Sequence, residues 1–266
     1  MSALREACVA LAIDAGAAIL AVYAQDFAVE HKDDASPLTQ ADLASHRIIA
    51  DGLRALAPDI PVLSEEDADI PWSVRQGWSR HWLVDPLDGT REFVKKNGEF
   101  TVNIALVENG RPVLGVVYAP VPGTLLHAAA GEGAWLRTAA GDVAVATRRP
   151  AALPLRVAAS RSHLDPRTAA ALARMGETER IGLGSSLKFC RIAEGLIDVY
   201  PRFGPTSEWD TAAAQCVLEE AGGAVLRLDG QPLAYNRKES LLNPDFIALG
   251  DLRLPWRDWL AEPAHG

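Results

Sequence analysis

The sequence predicts a two-lobed mixed α and β protein, with an α+β lobe over residues 1–150 and an α/β lobe over residues 151–266. Three observations carry this. Helical apolar spacing opens the chain, and an alternating strand pattern follows between residues 100 and 130. Beyond residue 150, short strand-like runs alternate with helix-like ones, the rhythm of an α/β unit. With 266 residues and 48% apolar content, the chain is long enough to bury a sizeable core.

Leu4, Cys8, Leu11, Ala15, Ala18 and Val22 recur at helical spacing, which predicts a helix over residues 2–24. Residues 31–37 read as a polar loop, with Lys32 a solvated charge. Thr39 and Asp42 have the spacing of a capping box opening a second helix, which keeps Leu43, Ile49, Leu53 and Leu56 on one face. Pro58 ends it. Residues 61–64 form a short strand that runs into Glu65, Glu66 and Asp67. Such a triplet alone reads as a solvated loop, but leaving a strand end it is placed to lie beside other acids. Trp72, Trp78 and Trp82 read as core anchors.

The next stretch organises the chain. Trp82, Leu83 and Val84 form a buried strand that delivers Asp85 and Asp88 into a turn made by Pro86 and Gly89, with Thr90 after it. Two carboxylates pressed together repel unless protonated or facing a cation, and a hard divalent ion suits such a pair. Free N–H groups after the turn and the Thr90 hydroxyl add a place for an anion. Metal beside anion points to phosphate chemistry. Asp, Pro and Gly also make ordinary surface turns, yet the strand leading in and the threonine following favour a metal site. Phosphatases with a nucleophilic aspartate place their acids two apart, on one face of an extended chain, whereas here they are three apart and separated by proline.

Residues 100–107, 113–119 and 124–130 read as an antiparallel meander, turning at Asn109-Gly110 and at residues 120–123, with His127 a satisfied core histidine. In the second lobe, strands are predicted at 155–159, 180–183, 197–200, 224–228 and 246–250. Helices are expected from Asp165-Pro166, over about 185–195 and over about 209–221, with a short closing segment at 256–260. Asp210 sits in the first turn of its helix, where a carboxylate also serves as a cap. Ser160 to His163 and Gly182 to Lys188 both fall at strand-to-helix transitions, where α/β sheets bind ligands. The glycine-rich piece lacks the Gly-Lys-Ser/Thr ending of a nucleotide triphosphatase loop, which excludes that reading.

Net charge of −9 argues against a general nucleic-acid binder, while a local metal cluster can still draw a small anion. No run reaches the ~20 apolar residues that cross a bilayer, and Arg5, Glu6 and Asp14 rule out a signal peptide. Cys8, Cys190 and Cys216 lack metal-type spacing and read as reduced core residues of a cytoplasmic protein.

Taken together, Asp42, Glu65-Glu66, the run from Asp85 to Thr90, and Trp209-Asp210 resemble the inositol monophosphatase superfamily across most of the chain. The resemblance implies a layered αβαβα sandwich and a lithium-sensitive magnesium phosphatase. Residues 91–106, 184–189 and 200–210 resemble most the family's bacterial 3'(2'),5'-bisphosphate nucleotidases. The implied reaction converts 3'-phosphoadenosine 5'-phosphate (PAP) to AMP and phosphate, clearing a by-product of sulfate assimilation. The implied cofactor is Mg²⁺, two to three ions. Glu65, Asp85 and the Leu87 carbonyl would hold one, and Asp85, Asp88 and Asp210 the second. Glu65 and Asp42 would help a third ion or orient the attacking water, and Thr90 with Asp42 would accept or relay its proton. Gly89 and Thr90 N–H groups would hold the phosphate. Ser160, His163, Gly184 and Lys188 would contact the nucleotide, with Arg161 and Arg202 added on charge. The implied partner is a small nucleotide bisphosphate, with no nucleic acid. Monomer and homodimer stay open, as does peripheral attachment to the cytoplasmic face of the inner membrane. The alternatives are an inositol-1-monophosphatase with the same metal chemistry and a noncatalytic nucleotide or metal sensor.

Overall fold

A computed structural model describes residues 1–25, 37–159 and 164–260 of the chain. It stacks five layers. The first holds helices α1 (Ser2–Tyr23) and α2 (Pro37–Leu56). They lie on a seven-stranded sheet in the order β1 (Val62–Ser64), β2 (Arg80–Asp88), β3 (Thr101–Glu108), β4 (Arg111–Ala119), β5 (Thr124–Ala129), β6 (Ala134–Thr138) and β7 (Gly141–Val145). Two short helices, α3 (Trp72–Arg75) and α4 (Thr90–Val94), flank β2 in sequence. β1 pairs with β2 in parallel, and every later neighbour in this sheet is antiparallel.

A five-stranded sheet forms the fourth layer. Its strands are β8 (Leu155–Ala158), β9 (Thr178–Ile181), β10 (Val199–Arg202), β11 (Ala224–Arg227) and β12 (Phe246–Leu249), ordered β11-β12-β10-β8-β9. Between the sheets lie α6 (Leu187–Ala193) and α7 (Ala212–Glu220), while α5 (Pro166–Arg174) and α8 (Trp256–Leu260) cover the outer face of the second sheet. This is the αβαβα sandwich expected from the sequence. The change of sheet falls between Val145 and Leu155, close to residue 150.

Alternation along β3 and β4 explains the layering. Leu106, Ile104 and Val102 face α1 and α2 together with Val84, Ile49 and Leu53, whereas Ala105, Val107 and Val117 face α7. α7 is almost all small where it meets the sheet: Ala212, Ala213 and Ala214 lie at most 1% exposed. A Cβ on Gly115 would come 2.2 Å from the Ala213 carbonyl oxygen, so helix and strand approach as backbones there. Each fully buried Leu, Ile or Val contributes roughly 1.5–3 kcal/mol.

Several expectations change in detail. α2 opens at Pro37, so Thr39 lies inside its first turn instead of preceding the helix as a cap. Proline suits the first helical position because its missing N–H has no intrahelical partner there. Of the three tryptophans only Trp82 is fully buried; Trp72 stands under the Arg75 guanidinium at 4.9 Å, and Trp78 is partly exposed. The meander gains β6, held by pairing to β5, and β7, largely exposed and held by pairing to β6. α1 is, among the described residues, the one helix long and apolar enough to cross a membrane by length and composition. Its Cys8, Val9, Ala12, Ala15 and Ile19 are nonetheless buried against α2 and the first sheet. All three cysteines are free and buried.

Candidate active site

β2 carries the acidic loop to the sheet edge. Its register with β3 runs unbroken from Arg80 to Asp85, then slips before Asp88 pairs with Thr101. Pro86, which has no N–H for the ladder, sits in that slip. Two bonds fix the bulge: the Leu87 N–H donates to Asp85 Oδ1 at 3.0 Å, and Ser45 Oγ donates to the Pro86 carbonyl at 2.7 Å. Gly89 then turns with φ +100°, where an added Cβ would lie 3.2 Å from Phe100 Cα and 3.3 Å from the Glu99 carbonyl. Glycine is therefore required to start α4, whose first residue, Thr90, is exposed.

Parallel pairing of β1 with β2 brings the second acidic stretch alongside. The Glu65 N–H donates to the Val84 carbonyl at 3.1 Å, so Glu65 extends the ladder next to Asp85. Asp42 reaches the same place from α2, and its charge is felt at Asp85 along with those of Asp88, Glu65 and Asp210. Asp210 does not lie in the first turn of a regular α-helix. It ends a 3₁₀ turn, Glu208–Asp210, that precedes α7, and its Oδ2 accepts the Ser207 N–H at 2.8 Å. The capping reading and the site reading of Asp210 thus coexist, one oxygen serving the turn.

Ser186 joins the acids across the layers. Its N–H donates to Asp88 Oδ2 at 2.7 Å. Its hydroxyl oxygen lies 2.9 Å from the same Asp88 oxygen and 2.7 Å from the Asp210 carbonyl, and it accepts from Asn103 Nδ2 at 3.1 Å. A hydroxyl has one proton, so it serves Asp88 or the Asp210 carbonyl at any instant.

Burial chiefly, then the neighbouring acids, pushes Asp85 well above the usual carboxylate range. Burial raises Asp88 too, opposed by the Lys188 cation and the Ser186 hydrogen bonds. Asp210 is pushed up to about 7 by burial and the Asp88 charge, against the Ser207 N–H and Arg202. Crowded acids that resist ionisation are a donor set that a hard divalent cation would suit.

A cleft of about 870 Å³ opens from these acids toward the second sheet. β8, β9 and β10 are parallel, and the chain leaving their C-terminal ends lines it, the usual ligand position in such sheets. Gly184 is there; its N–H donates to Glu99 Oε2 at 2.8 Å, and a Cβ would strike Glu92 Cγ at 2.5 Å. Lys188 Nζ donates to the Ser185 carbonyl at 3.0 Å and stands 5.3 Å from the Tyr200 ring centre. Arg202 donates to the Pro205 carbonyl at 2.9 Å and lines the cleft between Asp210 and Phe203. Ser160, Arg161 and His163 lie outside the described residues.

The cleft also contains groups that residue patterns did not name individually: Arg91 of α4, Lys95 at its C-terminal end, Ser186, and Phe203. Arg91 and Lys95 had a signal, being four apart along the segment that the acidic turn begins. Ser186 lies within the stretch 182–188, but its own role depends on Asp88 and Asn103 of the first sheet, which no local pattern shows. His127 is buried as expected, with Nε2 3.2 Å from Asp142. With Glu6 these groups form a His and carboxylate cluster, and Arg137 pairs with both acids.

Comparison with known proteins follows the same lines. Residues 1–253 match the inositol monophosphatase family. The 3'(2'),5'-bisphosphate nucleotidase CysQ of Shigella flexneri is 54% identical over 89% of this chain and 95% of its own. CysQ of Escherichia coli strain K12 is 52% identical over the same shares. The crystal structure of CysQ from Bacteroides thetaiotaomicron superposes with a TM-score of 0.82 at 41% identity, covering 93% of this chain and 97% of that one.

Proposed function

The chain belongs to the inositol monophosphatase family, and on that premise we propose that it is a Mg²⁺-dependent 3'(2'),5'-bisphosphate nucleotidase that converts PAP to AMP and phosphate. It is a phosphatase, and phosphatases of this family are metal-dependent. The observation that carries the nucleotide reading is the continuity of one cleft from Asp88 and Asp210 to Lys188 and Arg202. A bisphosphate has a second anion to place there; an inositol monophosphate does not.

The donor set fits magnesium: the buried Asp85, the half-buried Asp88 and Asp210, the exposed Glu65 and a backbone carbonyl are all hard oxygen ligands. Glu65, Asp85 and the Leu87 carbonyl would hold one ion, and Asp85, Asp88 and Asp210 another. When bound, Mg²⁺ supplies Lewis-acid stabilisation of the charge that builds on the phosphoryl oxygens. The chain's own groups do the rest. Gly89 and Thr90 N–H groups, freed by the turn at Gly89, hold the scissile phosphate. The Thr90 hydroxyl would pass its own proton to Asp42 as it takes one from the attacking water. Glu65, held beside Asp85 by its backbone bond to Val84, orients that water. Lys188 and Arg202 hold the second phosphate and set the substrate's direction in the cleft.

Phosphate release from PAP, its sulfated relative PAPS, inositol 1-phosphate and fructose 1,6-bisphosphate, with and without Mg²⁺, tests the proposal. PAP is expected to give the highest kcat/KM and excess chelator to abolish turnover. Preference for inositol 1-phosphate would overturn the nucleotidase assignment, and full activity in chelator the metal mechanism. No turnover of any phosphate would leave the sensor reading standing.

A further inference from the structure

Phosphate groups account for the acid cluster and for Lys188 and Arg202, but not for the apolar part of the cleft lining. This apolar lining is Ala159, Leu164, Tyr200, Phe203 and Phe246. Tyr200 and Phe246 meet edge to face, centroids 5.8 Å apart, with Phe189 stacked on Phe246, so those rings are occupied with one another. Phe203 differs. It directly follows cleft-lining Arg202 at the C-terminal end of β10, and its contacts to the outer core leave it only partly buried. The Arg167 guanidinium lies over its ring, 4.5 Å from the centroid. Arg167 does not line the cleft, and its Nη1 is held 2.6 Å from Asp245 Oδ2.

We infer that Phe203 is the stacking platform for the substrate's nucleobase, with Arg167, anchored by Asp245, fixing the ring in place. This rests on the nucleotide reading above. A flat, aromatic ligand part needs a π-face beside the cationic groups that hold its phosphate, and Phe203 is adjacent in sequence to one of them. A guanidinium tethered by a carboxylate restrains the ring, so that less freedom is lost when a base stacks. Phe203 is thereby a specificity-determining residue that should act on nucleotides and not on phosphate chemistry as such.

The experiment compares PAP with the base-free ribose 3,5-bisphosphate on wild type, Phe203→Leu, Phe203→Tyr and Arg167→Ala, all at saturating Mg²⁺. Phe203→Leu keeps apolar volume against the outer core while removing the π-face, and circular dichroism checks its fold. Loss of base stacking predicts a rise in KM for PAP of about ten- to a hundredfold with kcat within about threefold. Phe203→Tyr should restore wild-type KM, and Arg167→Ala should raise it by a smaller factor. Ribose 3,5-bisphosphate should be indifferent to all three changes. If Phe203→Leu leaves the KM for PAP within twofold, or weakens both substrates equally, the platform is wrong while the nucleotidase stands. If wild type does not hydrolyse PAP, the nucleotide reading fails first and the platform with it.

Discussion

Replacing Ser186 by alanine tests whether the acids are held as a unit. Ser186 is 1% exposed and keeps its backbone bond to Asp88 after the change, because Ala has the same N–H. What goes is the hydroxyl that lies between Asp88 and the Asp210 carbonyl and accepts from Asn103. A hydrogen bond to a charged group is worth ~1.5–3 kcal/mol, and the stranded Asn103 amide adds a desolvation penalty of similar order. The two overlap, so the metal-free protein should lose about 2–4 kcal/mol in urea unfolding. Groups that orient metal ligands typically govern ~10–100-fold in affinity. The Mg²⁺ concentration for half-maximal PAP hydrolysis should therefore rise by about that factor, with kcat at saturating Mg²⁺ far less affected. A variant with wild-type stability and an unchanged Mg²⁺ titration would refute the claim that Ser186 couples the two acids.

Three further outcomes follow from the geometry. Gly89→Ala puts a Cβ against Phe100 Cα and the Glu99 carbonyl at φ +100°, so thermal unfolding should show a loss of at least ~1–2 kcal/mol and turnover should fall with it; a wild-type rate would contradict the turn's role. In chelator, Asp210→Asn should gain stability over wild type as pH rises. The Asp210 carboxyl sits at about 7 in the fold against 3.8 ordinarily, so the stability it lends is complete below about pH 4 and lost through pH 7. Urea midpoints that track in parallel across that window would refute this. Lys188→Ala should lower kcat/KM for PAP by roughly ten- to a hundredfold, since it removes a charge-assisted bond to phosphate, and should affect inositol 1-phosphate much less; equal losses on both substrates would place Lys188 outside nucleotide recognition.

Much of this arrangement was legible in the residues, for identifiable reasons. Asp85 and Asp88 announce themselves because a buried strand, a proline and a glycine all act within a few positions of one another. Glu65 was legible only by analogy, as a second acid leaving a second strand; its place beside Asp85 needed the parallel β1 to β2 register. Sequence periodicity gave Asp210 a regular helical turn, and the 3₁₀ turn appears because Ser207 and Asp210 satisfy each other instead. β6 and β7 escaped notice because edge-proximal strands with exposed faces owe their form to partners, not to alternation. Ser186 and the pairing of Phe203 with Arg167 belong to the same class. Their meaning lies in contacts 24 to 98 residues distant in the chain, which no local pattern encodes.

The layering also explains how one acid cluster can serve different substrates. Asp85 and Asp88 come from the first sheet, and Asp210 and Ser186 from the layer between the sheets, joined by hydrogen bonds of 2.7 to 2.9 Å. Moving any one of them disturbs the others, so this end of the cleft tolerates little change. Lys188, Arg202 and Phe203 instead leave from strand ends and helix starts of the second-sheet side; the Ser185 and Pro205 carbonyls that Lys188 and Arg202 meet are three residues away, and Phe203 meets Arg167. Substitution there changes what is bound without displacing an acid. Selectivity among phosphate esters is therefore expected to reside in the loops of the second sheet, and exchanging those loops should alter KM profiles while leaving the Mg²⁺ dependence of turnover in place.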